Sequence, residues 1–272
     1  MSHLTSPLPS GDGSIPDAVA APGSKVKVWD LPTRVFHWSL ASSFVGAWLT
    51  AESERWRDIH VVCGYTLAGL IVFRLVWGIV GSRYARFNSF AFPPSRVLGY
   101  LKSLLGGAPE HHLGHNPAGA LAIWALLLLG VFASASGYAT YNEVLGASGE
   151  WLEDLHEVAA NAMLGLVIIH LVGVVMSSFL HKENLVRAMV TGWKNGRSED
   201  GIKRSHTALG VALLAVVLGF WGFSQSAAGQ AFLGGAGESS GIEQQDRKSS
   251  MTSDRQWDGS REQRKRKDRD DD

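Results

Sequence analysis

Four of the ten histidines, His37, His60, His156 and His170, fall on or at the ends of long apolar stretches. Ionisable groups at membrane depth are costly and usually functional. Taken singly, each reads equally well as a side chain that hydrogen-bonds between helices. Their joint spacing says more. His156 and His170 are fourteen residues apart. That is roughly 21 Å of helical rise at about 1.5 Å per residue, and fourteen steps of about 100° return to within about 40° of the starting direction. One face of one helix therefore carries a histidine near each membrane surface. His60 opens its stretch level with His156, and His37 lies level with His170. The two pairs, His37 with His170 and His60 with His156, can each clamp a planar iron cofactor between helices. Two axial imidazoles leave no open position on the iron, an arrangement of haem suited to electron transfer rather than oxygen binding.

The residues around these histidines bear on the same chemistry. Ala41, Gly64 and Ala160 each follow a ligand candidate by four residues, on the face where bulk would obstruct a macrocycle, and Gly165 and Gly173 flank His170. Small residues are also common at membrane helix contacts. Arg74, fourteen residues after His60, is placed either to pair with a haem propionate or to snorkel to the headgroups. His111, His112 and His115 cluster in a loop whose only nearby acid is Glu110, so a loop or quinone-pocket role is favoured over a metal site. His3, His181 and His206 read as exposed, and Cys63 as a small packing residue.

The elements that must position these residues follow from the apolar runs. Five stretches, about residues 35–50, 60–80, 118–140, 156–180 and 207–223, are nearly free of charge. A bilayer core about 30 Å thick needs about 20 residues of helix, and unbroken apolar runs without two-residue alternation choose helices over a barrel. Residues 1–24 and 224–272 are polar and too poor in apolar side chains to offset the entropy of ordering. They explain why mean hydropathy over 272 residues is only +0.04. Thirteen Lys and Arg fall in residues 25–34, 81–117 and 181–205, whereas the opposite side holds Arg55 and Arg57 and an acidic loop at 141–155. The positive-inside rule then places the amino terminus in the cytoplasm. A formal net charge of zero argues against nucleic acid as a partner. One cysteine excludes an intrachain disulfide, a Cys-pair metal site and covalent CxxCH haem attachment.

The segments RVFHWSL, DIHVVCGYTLAGLIVFRLVWGIVGSRYARF, LGHNPAGAL and LHEVAANAMLGLVIIHLVGVVMSSFLHKENLVRAMVTG resemble the cytochrome b561 family of bacterial and nickel-hydrogenase type, over roughly residues 26–192. The resemblance implies a four-helix membrane core holding two non-covalent b haems, with His37, His60, His156 and His170 at the axial-ligand positions. It also implies exchange of electrons with quinones and with a protein partner such as a hydrogenase, a c-type cytochrome or another oxidoreductase subunit.

The expected protein is an all-α integral membrane cytochrome of the bacterial cytoplasmic membrane. It comprises an N-terminal segment at 1–24, a dihaem four-helix bundle at 25–192, a connector and a fifth transmembrane helix at 193–223, and a polar tail at 224–272. Its expected function is electron transfer within a respiratory chain between the quinone pool and a redox partner. Whether a complete quinol or quinone oxidoreductase activity resides in this chain is not legible in its sequence. An anchor subunit of a hydrogenase or similar complex, without quinone chemistry of its own, fits the same residues. A histidine-based transporter would call for acids within the spans and repeated halves, and the spans carry no acid beyond Glu157.

Overall fold

The computed structural model describes residues 24–107, 110–146 and 149–234. Helices dominate: α1 (Leu31–Thr50), α2 (Arg57–Val80), α3 (Pro94–Leu105), α4 (Pro117–Tyr141), α5 (Glu150–Leu180), α6 (Leu185–Thr191), α7 (Thr207–Ser224) and α8 (Ala227–Gly234). Among the described residues, four helical stretches are long and apolar enough to cross a membrane: Glu54–Val80, Pro117–Tyr141, Trp151–Leu180 and Thr207–Ser224. The last is the additional C-terminal helix. α1 is long enough at 20 residues, but Arg34, His37 and five serines and threonines hold its hydropathy below that of the others.

α1 starts earlier than the apolar run suggests. Asp30 caps it by accepting the Thr33 N–H at 2.8 Å, and Pro32 supplies a pre-set φ in the first turn. Asp30 is fully buried and also accepts the Trp77 Nε1–H at 3.2 Å. The start of α1 is thereby tied to the end of α2. α5 begins at Glu150, so His156 sits in its second turn rather than at its mouth.

The helices pack as two antiparallel hairpins, α1 with α2 and α4 with α5, joined chiefly through α2 and α4. α7 lies against α1 and α2. Its Trp221 donates to Thr66 Oγ1 of α2 at 3.1 Å, and a Cβ on Gly210 would come within 2.6 Å of Leu31. The added helix is therefore packed into the bundle. α5 packs against α4 and makes few close approaches to α1 or α2.

A two-stranded antiparallel sheet adds to the expected all-α architecture. β1 (Ser24–Lys27) pairs with β2 (Trp193–Gly196) in a register matching Ser24 to Gly196 and Lys27 to Trp193. Beside it, the Val28 and Trp29 N–H groups both donate to the Gly192 carbonyl, at 2.8 and 3.2 Å. Gly192 has φ of +86°, and a Cβ there would meet the Trp29 carbonyl at 2.6 Å, so the crossing requires glycine. The 193–223 segment, expected to be a connector and a fifth transmembrane helix, is thus fastened to the bundle at both β2 and α7. Within the expected polar tail, residues 227–234 form α8, and the Tyr141 hydroxyl at the end of α4 donates to the Leu233 carbonyl at 2.8 Å. The remaining tail and the segment before Ser24 lie outside the described residues.

Candidate haem-binding site

The histidine pair at the acidic end of the bundle is built by backbone carbonyls. His60 Nδ1–H donates to the Ala47 carbonyl at 2.8 Å. Ala47 lies in the last turn of α1, where carbonyls lack an intrahelical N–H partner. His156 Nδ1–H donates to the Ala133 carbonyl of α4, also at 2.8 Å. Each bond fixes a ring orientation and a tautomer, leaving Nε2 with its lone pair. The two ring centroids stand 6.0 Å apart with an interplanar angle of 80°. One metal ion bonded to both at about 2.0–2.1 Å per nitrogen requires ring centres about 6 Å apart. Glycine also shapes this pair, because a Cβ on Gly137 of α4 would lie 2.8 Å from His156 Cε1 and 2.9 Å from Nδ1.

At the basic end, His37 of α1 and His170 of α5 are half-buried and within electrostatic reach of one another. His37 Nδ1 is shielded from solvent and has no hydrogen-bond partner among the described residues. Gly64 and Gly165 have no heavy atom within 4 Å of where a Cβ would sit. This open space and the donor set of four imidazoles fit a flat metal-centred macrocycle held between α5 and the α1–α2 hairpin. Among the described residues, no three His, Cys, Asp or Glu side chains converge as a free-ion metal site.

Arg74 does not snorkel. It is 4% exposed and donates from Nη1 to the Ala85 carbonyl at 2.9 Å. Its guanidinium carbon stands 4.8 Å from the Phe87 ring centroid and 5.8 Å from that of Phe90. Asp30 is its electrostatic neighbour.

The loop histidines separate by role. His111 stands 3.6 Å from the Glu183 carboxylate and beside the His181 ring, which is half-buried rather than exposed. Glu183 pairs at 3.1 Å with Lys194, whose side chain is 4% exposed and which also donates to the His112 carbonyl at 3.3 Å. His112 lies edge-on to Phe92 and Tyr100. His115 instead turns inward between Trp29 and Phe90, with centroids 4.7 and 4.6 Å away. Burial, with Arg74 and Lys194 adding to it, pushes His115 down to about 3, so the imidazole is neutral. His206, read as exposed, is half-buried against Trp77 at 5.2 Å. Cys63 is buried at the α1–α2 contact, opposite Gly46.

Comparison with known proteins was made against this geometry. Residues 28–192 match the prokaryotic cytochrome b561 family, a stretch that contains all four histidines and Arg74. The chain belongs to that family. Its relatives include the probable Ni/Fe-hydrogenase B-type cytochrome subunit of Azotobacter chroococcum mcd 1, 29% identical over 237 residues, covering 70% of this chain and 96% of the relative. The protein of the same description from Rhodobacter capsulatus is 22% identical over 221 residues, covering 65% and 84%. The probable Ni/Fe-hydrogenase 1 B-type cytochrome subunit of Escherichia coli K12 is 27% identical over 144 residues, covering 43% and 60%. No solved structure matches the chain. Membership makes this b561-family chain a multi-pass membrane cytochrome of the haem b class.

Proposed function

We propose that the chain is a dihaem electron-transfer subunit of the bacterial cytoplasmic membrane, linking the quinone pool to a protein redox partner. His60 and His156 would hold one haem, and His37 and His170 the other, with Arg74 beside the second as a propionate partner. The observation that carries this reading is the His60–His156 pair, with rings 6.0 Å apart and both Nδ1 atoms committed to carbonyls. Haem b, when bound through two imidazoles, supplies one-electron chemistry with no site for oxygen. The protein's share is to orient four imidazoles and to keep the bilayer interior dry around them.

The names of the relatives support a hydrogenase as the partner. The thirteen Lys and Arg at the other end of the bundle support a cytoplasmic amino terminus, with α1 as a full span and α7 carrying the chain back out. The acidic end then faces away from the cytoplasm. A partner docked there would meet the His60–His156 pair.

The test is a reduced-minus-oxidised spectrum of the purified protein with a haem-to-protein ratio. A ratio near two with low-spin b bands is expected, and well-expressed protein without haem would overturn the reading. His60→Ala and His156→Ala should lose the same spectral component, and His37→Ala and His170→Ala the other. Addition of a quinol analogue should reduce the haems directly. If it does not, the chain is an anchor subunit that relays electrons only through its partner.

A further inference from the structure

The basic end of the bundle holds a buried polar group that the four ligand candidates and Arg74 leave unused. His115 is anchored just before α4, where Asn116 caps that helix by accepting the Gly119 N–H at 2.7 Å. Its ring is wedged between Trp29 and Phe90. Phe90 is 1% exposed and has the Arg74 guanidinium carbon 5.8 Å from its ring centroid. His115 Nδ1 is sealed from solvent and has no hydrogen-bond partner among the described residues. A buried imidazole nitrogen without a partner is destabilising, so a group that completes it is expected. The electrostatic neighbours of His115 are Arg74, Lys194, His170 and His37. Positive and neutral donors thus converge there, with Asp30 the buried acid nearby, and Asp30 is already bonded to Thr33 and Trp77. The missing partner is an acceptor, and an anionic one.

We propose that His115 is a positioning residue that donates a ring N–H to a carboxylate of the haem held by His37 and His170, sharing that propionate region with Arg74. This rests on the dihaem reading above. Arg74 supplies charge and His115 supplies direction, because an imidazole wedged between two aromatic rings donates along one line only. The pair would fix the rotation of the macrocycle about its iron–imidazole axis, which two axial bonds leave free. His115 stands at the basic end, away from the His60–His156 pair, so the effect is confined to one haem.

The test uses full-length, haem-loaded protein. His115→Phe keeps an aromatic ring in the wedge and removes the donor, while His115→Gln restores an N–H. A donor to a propionate offsets negative charge near the iron, so its loss favours the oxidised form. His115→Phe should shift the redox equilibrium of one haem about three- to tenfold toward oxidised, or about 30–60 mV at 59 mV per decade for one electron. It should also move the propionate bending band of that haem in resonance Raman spectra. The other haem should be unaffected, and His115→Gln should recover most of the shift. Two haems per chain with unchanged potentials and Raman bands in His115→Phe would overturn the proposal and leave the dihaem reading intact. Wild-type protein lacking haem would overturn that reading instead. Should His115→Phe fail to fold, His115→Gln and His115→Leu decide alone: equal shifts in both refute a role for the donor.

Discussion

Replacing Gly137 tests the carbonyl-anchored histidine without touching it. In Gly137→Ala the new Cβ would sit 2.8 Å from His156 Cε1, so the ring must retreat by about 0.6 Å to reach ordinary contact at about 3.4 Å. The Nδ1–Ala133 bond, now 2.8 Å, would stretch toward the limit at which such bonds persist. A neutral hydrogen bond of this kind contributes about 0.5–1.5 kcal/mol, and losing the partner that orients a ligating histidine typically weakens metal affinity about 10–100-fold. Alanine in place of glycine favours a helix by about 0.5–1 kcal/mol. Global stability should therefore change little while retention of one haem falls. The assay is the haem-to-protein ratio and difference spectrum after extended detergent washing, with Gly219→Ala on α7 as control, since no heavy atom lies within 4 Å of a Cβ there. The ratio should fall from near two toward one, with the component shared by His60 and His156 lost. A washed Gly137→Ala protein that keeps both haems and an unchanged spectrum would refute the argument that this glycine sets the ring.

Other substitutions probe the scaffold. Gly192→Ala forces a side chain into φ of +86° against the Trp29 carbonyl and should lower stability by at least about 1–2 kcal/mol, read as a fall in the thermal transition. Lys194→Met leaves the Glu183 carboxylate without its cation. It should cost about 3–5 kcal/mol, and the double variant with Glu183→Gln should recover most of that. Trp221→Phe removes the hydrogen bond to Thr66 and should cost about 0.6 kcal/mol, the usual size of a polar contact between membrane helices, measured by a double-mutant cycle with Thr66→Val.

The transmembrane helices were legible because their signal is local: α4 and α5 are apolar runs that nothing but a helix in lipid can satisfy. The start of α1 was less so, because WDLP reads as a turn until Asp30 is seen to cap the helix and bond Trp77. The β1–β2 pairing has no local signal at all, since each strand is four residues and their partners are more than 160 residues away. Histidine spacing singled out His37, His60, His156 and His170, and the structure brings the His60 and His156 ring centroids to 6.0 Å. The carbonyls of Ala47 and Ala133 that aim those rings are main-chain atoms, common to every residue type, and so leave no mark in the sequence. Likewise, three histidines within five residues gave no indication that His115 turns inward and His111 outward. That choice is made by Trp29 and Phe90, which arrive from distant parts of the chain.

The clasp between β1 and β2 also sets an order on synthesis. The acidic-end pair is complete once residues through about 156 have emerged, because His60, Ala47, Ala133 and His156 all lie within that stretch. The opposite end cannot close until residues 193–196 return to meet residues 24–27 and Gly192 reaches Val28 and Trp29. A contact joining such distant segments requires a long loop to close and forms slowly. The two halves of the bundle are therefore finished at different times, the acidic end first, and the basic end only when nearly the whole membrane-embedded chain has left the ribosome.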